Sequence, residues 1–194
     1  MDDKTGFDTA ARIAAGDDGR TYGRVAIALH WTTAGLVLIQ FVTSYIWEYF
    51  ARPAKQAMES LHTSLGILLA AVIVTRLIWR LMPAHRVPSL ETGWVKIASR
   101  SIHYLLYGLL LAQACLGFTI GWAAGHPIHL FGLPIPGPID AFPRPVRHEL
   151  REIHEWVGYT IVVVALGHAL AALYHHYALK DRVLGRMLPL IRQA

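Results

Sequence analysis

The chain has 194 residues, the size of one domain, and 54% of them are hydrophobic; its mean hydropathy of +0.38 is high for a water-soluble fold. The formal charge is +5 with only 16% charged residues, and no basic stripe interleaved with aromatics is present, which excludes nucleic acid as the partner. A single cysteine, Cys115, excludes a disulfide framework and a cysteine-rich metal motif.

Residues 1–21 form a polar, acidic head, too distant from the first apolar run for a cleaved signal peptide. It reads as a disordered cytoplasmic tail, with residues 22–194 as one membrane domain. Four apolar stretches follow, at about 25–47, 61–82, 102–124 and 155–177, each long enough for a hydrocarbon core of about 30 Å, which takes roughly 20 helical residues. Each is a helix, because an open strand leaves backbone groups unpaired in lipid. The expected fold is therefore all-α, an integral membrane four-helix bundle.

Between the first two stretches Pro53 is expected to stop the helix. The second connection carries Pro83 and Pro88, then an amphipathic lead-in with Trp94, Ile97 and Ile102. The third, residues 125–145, holds six prolines in 21 residues; it reads as an irregular lid over one mouth of the bundle. All six tryptophans fall near span ends, as in an interfacial belt. No internal repeat is evident.

Basic residues orient the bundle. One side holds Lys4, Arg12, Arg20, Arg24, Arg76, Arg80, Arg86, Lys96, Arg100, Lys180, Arg182, Arg186 and Arg192, against Arg52, Lys55, Arg144, Arg147 and Arg151 on the other. Thirteen against five places both termini in the cytoplasm of a multi-pass protein.

Of the 11 histidines, four lie at two matched depths. His30 and His168 are near the inner face, and His62 and His154 near the outer. His154 and His168 are 14 residues apart, or two heptads, so both can face the interior of a supercoiled bundle, about 21 Å apart in depth. Each outer histidine has a glycine four residues on, Gly66 and Gly158, which leaves room for a flat ring against the backbone. Paired imidazoles at each of two depths suit two b-type haems, whose iron takes one nitrogen from each side. Zinc or copper would want three or four ligands at one depth. A proton relay would more naturally include an intramembrane carboxylate, and no span has one at its centre. A haem-free transporter remains the alternative.

The stretches YGRVAIALHW (22–31), SLHTSLG (60–66), IWRL (78–81), EIHEWVGY (152–159) and GHALAALYHHYALKDRVLGRMLP (167–189) together resemble the bacterial cytochrome b561 family of four-helix dihaem membrane cytochromes. The resemblance covers nearly all of the chain from residue 22, and only the acidic tail has no counterpart. It implies iron ligation by His30, His62, His154 and His168, location in the bacterial inner membrane, and electron exchange with quinone in respiratory electron transport. Some bacterial members resemble superoxide oxidases that reduce ubiquinone, which implies a superoxide:ubiquinone oxidoreductase. The alternative is a haem-bearing membrane anchor for a soluble dehydrogenase or hydrogenase.

The remaining candidates lie around these ligands. His175 and His176, at the cytoplasmic surface, are read as contacts for haem propionates or a quinone headgroup, or as interfacial side chains. His103 has the same readings and is the substitute iron ligand should His30 not serve. Arg76 and Arg80 reach the inner layer, where a guanidinium can pair with a propionate. His126, His129 and His148 read as surface residues and His85 as an inner-loop one. Arg144, Arg147, Arg151, Arg52 and Lys55 are expected to give a positive outer mouth for a small anion or a redox protein, opposed by Glu149, Glu152 and Glu155.

Overall fold

A computed structural model describes residues 22–83, 92–181 and 183–188; the 1–21 tail, His85 and Arg86 lie outside the described residues. Four helices, α1 (Arg24–Ile46), α2 (Arg52–Leu81), α3 (Gly93–Trp122) and α4 (Arg144–Tyr177), run up and down, and a hairpin of β1 (Ile128–Leu130) and β2 (Leu133–Ile135) joins the last two. Each helix is long and apolar enough to cross a membrane. The closest packing is α1 on α2 and α3 on α4, with α2 against α3 between the pairs. We call the end with the hairpin the lid side and the opposite end the terminal side.

Three helices are longer than the hydrophobic pattern predicts, because lipid contact and helix extent are separate properties. α2 starts nine residues before the apolar stretch, and Pro53, expected to end a helix, instead sits in its first turn, where a missing N–H leaves no bond unmade. α4 opens the same way on Arg144 and Pro145, and α3 absorbs the amphipathic lead-in from Gly93. With 30 and 34 residues, α2 and α4 measure about 45 Å and about 51 Å, longer than a hydrocarbon core of about 30 Å. Both carry their extra turns at the lid side.

The buried core is a thin stripe of Leu36, Leu69, Ile73, Tyr107, Leu110 and Ile161. Large apolar side chains face outward along every helix, among them Leu38, Val74, Leu105 and Val163, the arrangement that lipid stabilises. Threonines on these helices hide their hydroxyls by donating one turn back: Thr43 to the Ile39 carbonyl, Thr75 to Ala71 and Thr160 to Trp156, each at 2.8 Å.

The proline-rich segment is more regular than its composition suggests. Phe131 and Gly132 both take positive φ, 48° and 91°, which makes the two-residue turn that suits a tight hairpin. Pro134 is accommodated because a two-stranded ribbon has only edge strands. The hairpin is fixed to α2 by Ser64, 2% exposed, whose Oγ accepts from the Phe131 N–H at 2.9 Å while its one proton lies between the carbonyls of Ser60 at 3.0 Å and His129 at 3.2 Å. It is fixed to α3 by Trp122 Nε1, which donates to the Ile135 carbonyl at 3.2 Å. Gly137 lies against the Trp122 ring, where a Cβ would collide. Replacing Ser64 by Ala leaves the Phe131 N–H without its acceptor and should cost the lid about 1–3 kcal/mol. Hydrogen exchange at Phe131 in a lipid nanodisc should accelerate accordingly; an unchanged rate would show that Ser64 does not hold the lid.

On the terminal side the chain folds back after α4. Lys180 turns it with φ of 52°, and a 3-10 turn at Leu184–Arg186 follows. Trp31 Nε1 donates to the Met187 carbonyl at 2.9 Å, and the guanidinium of Arg186, 5% exposed, lies 5.0 Å over the Tyr22 ring. The start of α1 is thus clasped to the turn that follows α4.

Candidate cofactor site

Helix geometry sets the depths. His62 and His154 each stand ten residues into a helix that opens on Arg-Pro, so both reach the same level on the lid side. Their ring centroids are 6.4 Å apart, at an interplanar angle of 70°. On the terminal side His30 from α1 and His168 from α4 meet at 6.4 Å and 68°. The two pairs have nearly the same geometry at two depths.

That geometry is a test of fit. An iron between two imidazoles needs about 2 Å to each nitrogen, and each nitrogen lies about 1.2 Å from its ring centre, so ligation from opposite sides sets centroids about 6.4 Å apart. Both pairs match. His103, the alternative on the terminal side, stands only 5.0 Å from His168, too close for a metal between the rings. Its Nδ1–H instead donates to the Ser99 carbonyl at 2.5 Å.

The terminal layer also holds the two arginines. Arg76 Nη2 lies 2.8 Å from His30 Nδ1; a guanidinium only donates, so the imidazole nitrogen accepts. The Arg76 and Arg80 guanidinium carbons lie 5.4 Å and 6.0 Å from the Tyr107 ring centroid, and the buried Tyr107 hydroxyl has no partner among the described residues. The layer thus gathers His30, His103, His168, Arg76, Arg80 and Tyr107, enough cationic donors for a carboxylate-bearing macrocycle.

His175 and His176 part company. His175 Nδ1 bonds Asp181 Oδ2 at 2.5 Å, while Asp181 Oδ1 accepts from the Val183 N–H at 3.0 Å. His176 stacks edge-on to Tyr177, centroids 4.8 Å apart. His126 and His129 are exposed, and the exposed His148 lies 3.6 Å from Glu152. At the lid-side mouth Lys55 is tied to Glu48 at 2.6 Å, which removes it from the expected positive rim. Glu155 accepts from the Tyr159 hydroxyl at 3.1 Å, and Arg147 Nε is buried without a partner among the described residues.

Four contributors were not singled out in the sequence: Gln40, Gln113, Trp47 and Ser64. Gln40 Nε2 donates to the His62 carbonyl at 3.0 Å, and the Trp47 ring lies edge-on to His62 with centroids 5.2 Å apart. The glycine gaps prove to be amide gaps. A Cβ on Gly66 would stand 3.0 Å from Gln40 Nε2, and one on Gly158 would stand 3.3 Å from Gln113 Nε2. Uncharged amides in the middle of apolar spans are a legible signal of a polar partner, because lipid supplies none.

The chain matches the family model for prokaryotic cytochrome b561 over residues 21–190. It is 34% identical over 175 residues to cytochrome b561 homolog 2 of Escherichia coli (86% of this chain, 90% of the relative). It is 28% identical over 171 residues to the probable superoxide oxidase CybB of Yersinia pestis (88% and 97%), and 30% identical over 173 residues to cytochrome b562 of Cereibacter sphaeroides (86% and 94%). With four helices able to span a membrane, imidazoles paired at two depths and a family match over nearly its whole length, the chain belongs to the prokaryotic cytochrome b561 family of haem-binding membrane electron-transfer proteins.

Proposed function

We propose that the chain binds two b-type haems in the bacterial inner membrane, one held by His62 and His154 and one by His30 and His168, and moves electrons from an outer donor to ubiquinone. The observation that carries this reading is the repetition of the 6.4 Å imidazole separation at two depths. The haems supply one-electron redox steps, and closed bis-histidine coordination favours electron transfer over ligand binding. The termini face the cytoplasm and the lid faces outward, as the distribution of basic residues indicates.

The remaining roles fall to the chain's own residues. Engaging iron through Nε2 leaves the His30 proton on Nδ1, which can no longer accept from Arg76. Arg76 would then turn to a propionate, with Arg80 beside it. His103 and the His175–Asp181 pair lie on the quinone side, where reduction of one ubiquinone consumes two electrons and two protons. Outside, superoxide is the donor that fits: one relative carries the name probable superoxide oxidase, and the half-buried Arg147 on the lid side has a buried Nε donor without a partner among the described residues. Two superoxide anions release two dioxygen molecules and supply the electrons for one quinol.

Proteoliposomes containing the haem-loaded chain should form quinol from superoxide at one quinol per two superoxide consumed. Arg147→Glu should slow the reaction about tenfold or more at low salt, with the difference closing as salt rises. Failure to form quinol while both haems are reduced would overturn the superoxide reading. Stoichiometric retention of a peripheral dehydrogenase or hydrogenase subunit would instead identify a membrane conduit.

A further inference from the structure

The two helical hairpins, whose sequences show no evident repeat on their own, share a pattern of positions once their helices are aligned. α2 carries Arg52, Pro53, His62, Gly66 and Arg76; α4 carries Arg144, Pro145, His154, Gly158 and His168 at the same spacings. α1 has His30 and Gln40, and α3 has His103 and Gln113, again at one spacing. The structure gives this correspondence a physical content. Each lid-side histidine is followed one turn later by a glycine, and the gap that glycine leaves is filled by a glutamine amide from the preceding helix.

Four of the six buried side-chain polar atoms without a partner among the described residues belong to this arrangement: Gln40 Oε1, His62 Nδ1, Gln113 Oε1 and His154 Nδ1. In each hairpin the buried amide oxygen lacks a partner, and the imidazole nitrogen makes no well-formed hydrogen bond, having near it the main-chain carbonyl of that same glutamine. An orphaned polar group costs free energy inside a protein, and more so in a bilayer. A metal-bound histidine donates its other ring N–H to an acceptor, which fixes the ring and raises its basicity.

We infer that Gln40 and Gln113 are positioning residues for the lid-side haem, their Oε1 atoms accepting the Nδ1–H of His62 and His154 when the Nε2 atoms bind iron. The inference rests on the assignment of those two histidines as ligands. Gln40 then holds its histidine from two directions. For Gln40 the Nε2–H already grips the main chain at the His62 carbonyl, and Oε1 fixes the ring. Accepting from Nδ1–H makes the imidazoles more electron-donating and favours ferric iron, so this pair lowers the potential of the lid-side haem.

The test is spectroelectrochemical titration of the intact haem-loaded protein in nanodiscs, with haem counted per chain. His62→Ala first identifies the lid-side haem by its loss; retention of two haems in that variant would refute the ligand assignment itself. In Gln40→Leu and Gln113→Leu the lid-side midpoint should rise, additively in the double variant, while the other midpoint stays fixed. Gln40→Glu retains an acceptor oxygen and should hold the midpoint at or below the wild-type value. Loss of the haem in the Leu variants with retention in the Glu variant supports the same role. Unchanged midpoints in the double Leu variant, or the same shift with Leu and with Glu, would overturn the inference.

Discussion

Replacing His62 or His154 by Ala is expected to take the chain from two haems to one while the helices stay inserted. Each side chain is half-buried, faces its partner at 6.4 Å across the bundle, and reaches no other imidazole that could substitute for it among the described residues. The two variants should lose the same haem, so their spectra should superimpose and the double variant should lose nothing more. Haem counts by pyridine haemochrome, with circular dichroism to confirm helix content, measure this directly. Loss of different haems from the two variants would mean that the lid-side pair does not share one iron.

The second large effect separates two histidines that look alike in sequence. His30→Ala should remove the terminal-side haem and cut superoxide-driven quinone reduction by more than about 100-fold, beyond the 10- to 100-fold typical of losing a supporting hydrogen bond. His103→Ala should keep both haems, because its ring lies 5.0 Å from His168 and its Nδ1–H is committed to the Ser99 carbonyl. Any loss of activity in that variant would then point to quinone binding or proton delivery. One haem in His103→Ala, with two in His30→Ala, would reverse the assignment.

What could be read from the sequence was whatever depends on position along a single helix. Depth follows from rise per residue, so His30, His62, His154 and His168 sorted into two layers before any packing was known. Lipid exposure follows from composition, so four spans emerged. What could not be read depends on relations between helices. Gly66 and Gly158 were visible as gaps, but only the approach of α1 to α2 and of α3 to α4 shows that Gln40 and Gln113 fill them. The choice between His30 and His103 is one of angstroms across the bundle, which spacing along the chain does not encode. Pro53 and Pro145 carry no sign of whether they end a helix or begin one; the helix direction decides it. The hairpin at 128–135 was hidden by its prolines, and its turn rests on positive φ at Phe131, a residue that rarely adopts it.

The correspondence between the two hairpins is also informative where it fails. α4 has His168 at the position that α2 fills with Arg76. The terminal layer pairs His168 instead with His30 of α1, and under the proposed assignment the arginine would meet the charge of the macrocycle. A symmetric frame would then give one layer ligated from α2 and α4 and another from α1 and α4.

Whether one chain carries two bis-histidine haems is decided by the haem content and reduced-minus-oxidised spectrum of the purified protein. Two haems per chain, with a b-type α band on reduction and a low-spin signal from both centres, is the predicted result. One haem per chain, or a high-spin signal from either centre, would contradict it.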